Sequence, residues 1–272
     1  MISLFRARRT IATIVLWALC TGVAAAGQPR VIALSPHGAD LVAAAGGASQ
    51  LVGVAAFTGP LPVTRQPPVV GDAHGLDREQ ILQLHPDVAV AWKGGNRETD
   101  IAWLEQQGIR VYVSGPRHLA DIPREVREIG ALLGTGGAAD DAADRLDARI
   151  LGLHSHATGT AAVNYVFQVW HRPPMTFGGK ALLTRALRGC GAENAFDDVP
   201  AETFTPDPET LARIASDVEI IADDLGDVPP LTSSARILRV PADALYQPSP
   251  PFVEAVARLC EMLHREKGRA DR

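Results

Sequence analysis

The chain has 272 residues, 46% of them hydrophobic, which excludes a disordered chain and allows two modest cores. Its formal net charge is −5, which argues against a surface built to hold nucleic acid.

Arg6, Arg8 and Arg9 precede an uncharged run from Ile11 to Ala26 that ends in three alanines. The run falls short of the roughly 20 residues needed to span a bilayer, and its small-residue end suits cleavage of a secretory signal peptide, residues 1–26. Cleavage removes three Arg and no acid, taking the net charge to −8, and removes Cys20, leaving Cys190 and Cys260. In an oxidising compartment an even pair reads as a disulfide; the alternative is two buried thiols.

In the remaining chain, Arg30 to Leu34 reads as a strand and Ser35-Pro36 as the cap of the next helix. Leu51 to Phe57 is a second strand, followed by a Pro-rich loop from Pro60 to Pro68 and a strand at Val69-Val70. A helix over Arg78 to Leu84, a strand over Asp87 to Trp92, a Gly94-Gly95 turn and a helix capped by Asn96 follow. Then come strand Arg110 to Val113 and a helix from Ile122 to Leu133. Gly134-Thr135-Gly136 and Ala139 nominally fit a dinucleotide loop, but that loop must follow a strand and here follows a helix, so the glycines read as a stop and restart. Ala138 to His154 forms a long helix with Leu146, Ile150 and Leu153 on one face.

Beyond it lie strand Val163 to Trp170, an irregular segment from His171 to Gly179, and helix Ala181 to Arg188. A helix and strand from Asp207 to Ile220, a turn from Asp223 to Pro230, strand Ile237 to Val240, a loop from Pro241 to Pro251 and an apolar-striped final helix complete the chain. Alternating strand and helix predicts an α/β fold with mainly parallel sheets, in two lobes joined by the one long helix. The predicted boundaries are 27–136, 137–157 and 158–272.

One unit occurs twice. Asp77-x-Glu79-x-Ile81-x-x-Leu84-x-x-Asp87-Val88-x-Val90 recurs as Asp207-x-Glu209-x-Leu211-x-x-Ile214-x-x-Asp217-Val218-x-Ile220. Asp77 and Asp207 are predicted helix caps, so Glu79 and Glu209 fall in the first turn, where an anion suits the helix dipole. No nucleophile elbow, P-loop or zinc-protease helix is present, and His154-x-His156 reads as a solvated pair. Phe57, Trp92, Trp170 and Tyr246 fall at or just beyond predicted strand ends, where open α/β sheets bind ligands. His37, in the first turn after the first strand, has an imidazole able to ligate cobalt or iron.

The chain resembles the periplasmic solute-binding proteins of the cobalamin and iron-siderophore type, and most specifically their cobalamin-binding members. The likeness is carried by Arg30 to Pro36, by Pro86 to Asn96, by Cys190-Gly191-Ala192-Glu193-Asn194-Ala195-Phe196 and by Leu259-Cys260. It implies a non-enzymatic, monomeric periplasmic receptor that delivers a corrinoid to the permease dimer of an ABC importer. Haem or a ferric siderophore is the alternative cargo, and a secreted enzyme the alternative of another class. The resemblance also implies that Glu79 and Glu209 dock the lobes onto permease arginines and that Cys190 and Cys260 are bridged. Trp92 and Asp243 match cobalamin-contacting residues, and Phe57 stands where the family has Tyr. With Met175, Trp170 and Tyr246 they make up the expected ligand site. Ala73, Met175 and Thr203 stand where the family has large aromatic residues, and Gln247 replaces a pocket Arg.

Overall fold

The computed structural model describes residues 27–72, 74–157, 162–232 and 236–270. The predicted signal peptide and Ala73 lie outside the described residues, as do the side chains of His154 and His156.

The first sheet has six strands: β1 (Val31–Ala33), β2 (Leu51–Ala55), β3 (Val69–Asp72), β4 (Gly75–Leu76), β5 (Val88–Trp92) and β6 (Arg110–Ser114). Their order is β4-β3-β2-β1-β5-β6, parallel except for the β3–β4 pair. The chain runs outward from β1 in both directions, so the sheet has a switch point between β1 and β5. All of β1 and Val88 to Ala91 of β5 are buried, as strands covered on both faces must be.

The helices cover these faces. Ser35 accepts a hydrogen bond from the Gly38 amide, and Pro36 opens α1 (Pro36–Ala44). Asp77 caps α2 (Arg78–Leu84) through the Gln80 amide. Asn96 does not cap α3 (Glu98–Gln106). Its Oδ1 accepts from the Trp92 amide at 2.7 Å and its Nδ2 donates to the Leu34 carbonyl at 3.0 Å, so it ties the ends of β1 and β5 together.

Gly134, in the left-handed region at φ 72, ends α4 (Asp121–Leu133), and α5 (Gly136–Ala157) begins two residues later. These two helices lie so close that a methyl group on Gly130 would stand 2.2 Å from the Ala139 Cβ. On its other flank α5 meets the final helix, α8 (Pro250–Ala270), where Arg149 pairs with Glu254 and Glu261. Leu146 and Leu153 of α5 belong to one hydrophobic core that runs from Val31 and Val90 in the first lobe to Phe167, Val256 and Leu263 in the second.

The second sheet holds β7 (Val163–Trp170), β8 (Met175–Phe177), β9 (Ala192–Asn194), β10 (Thr203–Phe204), β11 (Val218–Ala222) and β12 (Arg236–Val240). Its path is β10-β8-β7-β11-β12, with β9 pairing β7. The segment expected to be irregular contains β8, which turns back antiparallel onto β7 and places Met175 opposite Trp170. Helix α6 (Leu182–Arg188) covers this sheet, and α7 (Pro208–Arg213) is capped by Asp207 through the Thr210 amide. The Sγ atoms of Cys190 and Cys260 are bonded, joining the loop after α6 to α8, and both residues are fully buried.

Candidate ligand-binding cleft

The parallel strands of both sheets deliver the candidate residues at their C-terminal ends. From the first lobe, Phe57 lies just past β2 with a positive φ of 62° and is 94% exposed. A bulky residue in the left-handed region is strained, and here its phenyl ring stands out in solvent. Trp92, the last residue of β5, lies against Gly95 so closely that a Cβ there would stand 1.9 Å from the indole. That contact is open only to glycine.

Between the lobes is a cavity of about 490 Å³. Pro36, Asp40 and Phe57 line it from the first lobe, and Asp243, Tyr246, Gln247 and Ser249 from the second. Of the expected ligand residues, Phe57, Asp243 and Tyr246 come together here. Tyr246 is fixed from behind by Phe177 and Phe167, with ring centroids 6.3 and 6.5 Å away. Burial pushes the Tyr246 phenol above its ordinary range, and the charges of Asp224 and Asp243 push the same way. Trp92, Trp170 and Met175 do not line this cavity. Trp170 is 52% exposed and lies beside Met175 on the antiparallel pair, while Phe177, buried edge-on against Phe167, adds no open ring. Thr203 pairs with Phe177 at the sheet edge.

His37 is placed differently from a ligand held open to solvent. It is 2% exposed, its ring meets Trp92 edge-on at 5.3 Å, and its Nε2 lies 3.3 Å from Ser114 Oγ. Ser114 donates in turn to Glu125 of α4 at 2.6 Å, and the Gly115 amide donates to the same carboxylate at 3.0 Å. With Ser114 Oγ committed as donor to Glu125, Nε2 carries the proton and donates to Ser114. The imidazole is thus a buried brace beneath Trp92.

Burial lowers the His37 pKa to about 4 from an ordinary 6.5. Between pH 6.5 and 4 the unfolded chain binds a proton at this imidazole that the folded chain does not, so stability falls as the pH drops. The expected loss is about 3 kcal/mol across that window. Burial raises the Glu125 carboxyl, so its contribution runs the opposite way, being lost as pH rises through the folded value. Chemical denaturation at several pH values should therefore show a shallower acid decline in His37→Gln than in wild type. Parallel curves would rule out His37 as the source.

Two polar cavity residues escaped the sequence. Asp40 lies four residues after Pro36, on the same helical face, and the signal was a lone charge within an otherwise apolar helix. Ser249, 1% exposed, sits in a loop with no periodicity to read. The Ser114–Glu125 pair was half visible, because Glu125 falls on the buried stripe of α4 between Ile122 and Ile129. Glu79 and Glu209 are both exposed, and each meets the residue four positions on in its own helix, Gln83 and Arg213 respectively. Among the described residues no group of three or more His, Cys, Asp or Glu side chains could hold a metal, and no helix is long and apolar enough to cross a membrane.

The Vitamin B12-binding protein of Vibrio parahaemolyticus is 26% identical over 243 residues, covering 85% of this chain and 88% of that one. Among solved structures, the periplasmic Vitamin B12 binding protein BtuF of Vibrio cholerae has a TM-score of 0.76 at 22% identity, covering 87% of this chain and 96% of its own. The periplasmic heme-binding protein BhuT, in complex with two hemes, has a TM-score of 0.76 at 23% identity over 88% of this chain and 99% of its own. Both structural likenesses are likenesses of fold. Residues 31–237 match the family described as Periplasmic binding protein. With that match across both sheets, and two α/β lobes held by α5, the chain belongs to the periplasmic binding protein family.

Proposed function

We propose that the protein is a periplasmic receptor that captures a corrinoid between its lobes and hands it to the permease of an ABC importer. The observation that carries this is the interlobe cavity, with the Phe57 ring offered from one lobe and the Tyr246 ring from the other, and polar groups at its edge. A flat macrocycle is held by apolar contact with its faces and hydrogen bonds at its rim. Asp243 lines the cavity and is positioned to accept from side-chain amides of a corrin. Trp92, 38% exposed at the end of β5, extends the aromatic surface beyond the cavity. Curated relatives named Vitamin B12-binding protein, similar over most of the chain, support the same cargo.

In this reading residues 1–26 are the export signal, the receptor acts as a monomer without catalysis, and Glu79 and Glu209 contact the permease.

Titrating the protein with cobalamin, cobinamide or haem while following tryptophan fluorescence tests the cargo. Cobinamide and cobalamin should quench the emission and bind saturably. Replacing Trp92 by Ala should weaken binding by about 1 to 3 kcal/mol, the scale for losing a large buried contact. The absorption spectrum of protein taken from its native periplasm gives an independent reading, since corrin, haem and ferric siderophores absorb differently. If haem or a ferric siderophore binds and neither corrinoid does, the cargo is wrong and the receptor role stands.

A further inference from the structure

The cavity has a charge character that narrows its cargo further. Two of its lining residues are carboxylates, Asp40 and Asp243, and none is Lys, Arg or His. Asp224 adds a third negative charge felt at the Tyr246 phenol. Asp40 projects from α1 into a partly buried position where burial raises its carboxyl above the ordinary range and the Ser249 hydroxyl draws it back. Among the described residues no cation lines the cavity beside it.

Two hydroxyl-bearing residues accompany these acids in the lining. Ser249 is 1% exposed and lies beside Asp40 in the cavity lining. The Tyr246 hydroxyl is also buried without a hydrogen-bond partner among the described residues.

The partners that the Asp40 and Asp243 carboxylates accept are hydrogen-bond donors such as N–H groups. A primary amide offers two, and meets a carboxylate with a charge-assisted hydrogen bond. A carboxylate at the same place on a cargo offers only acceptors and meets like charge in a partly desolvated site. We propose that Asp40, together with Asp243, makes the cavity select macrocycles whose rim is amidated and reject those whose rim carries free carboxylates. This rests on the corrinoid reading and deepens it: the receptor distinguishes the finished amide-bearing corrinoid from its carboxylate form, and from porphyrins with carboxylate side chains.

The test compares cobinamide with cobyrinic acid, which has the same corrin ring and cobalt but carboxylates in place of the amides. Wild type at neutral pH should bind cobyrinic acid at least about 100-fold more weakly than cobinamide, the scale expected when like charges are forced together. Asp40→Asn should shrink that gap to about tenfold or less, by weakening cobinamide and admitting cobyrinic acid. Thermal melts establish that the variant is folded, and Asp243→Asn, at an exposed position, repeats the measurement should Asp40→Asn not fold. If wild type binds the two corrinoids equally, charge selection is wrong while the corrinoid reading survives. If it binds neither, the corrinoid reading itself fails. An undiminished gap in folded Asp40→Asn removes Asp40 from the role.

Discussion

Replacing Cys190 and Cys260 together with Ala should lower the stability of the second lobe by about 4 kcal/mol, since the bridge closes a loop of 70 residues and the unfolded chain regains that freedom when it is gone. Both sulfurs are buried, so alanine leaves small cavities and no stranded polar group. The expected shift in melting temperature is about 10 °C for a chain of this size. The loss should appear equally when wild type is reduced before unfolding. Free-thiol titration of the exported, unreduced protein in denaturant gives the direct check, and finding two reactive thiols would end the claim.

Reversing charge at both Glu79 and Glu209 should abolish uptake and permease binding while cargo affinity stays within about twofold of wild type, because neither residue lines the cavity. If these acids serve only as first-turn anions, Glu79→Lys with Glu209→Lys should cost each exposed helix start about 0.3 to 1 kcal/mol and leave transport running. A folded double variant that transports normally would remove the docking role. Single variants distinguish a shared interface from a dominant lobe: comparable partial losses point to the first, one silent variant to the second.

What could be read from sequence followed how local the determining physics was. The starts of α2 and α7 were legible to the residue, because an Asp cap acts over three residues and the unit occurs twice. The long helix followed from periodicity and the parallel strands from the alternation of strand with helix. Strands β8, β9 and β10 were not legible: two or three residues carry no period, and they exist as strands only through pairing with β7 or with each other. Asn96 looked like a cap from its place after two glycines, yet its side chain is taken by backbone groups 4 and 62 residues away. The cleft divided in the same way. Phe57 and Tyr246 could be picked out by position after strands and Asp243 by the family resemblance, whereas the inward turn of His37 depends on Ser114 and Glu125, which only tertiary folding brings to it.

The unbroken core through α5 bears on how such a receptor signals that it is full. Proteins that close like a clamshell announce their cargo by changing shape, and their affinity includes the work of closing. Here α5 is packed on α4 and on α8 along one apolar seam, and the lobes have little freedom to swing. An empty and a filled molecule would then present nearly the same outline to the membrane. On the proposed receptor role, an importer would have to tell them apart by touching the cargo at the cleft mouth, and release would require force applied at the two ends of the molecule.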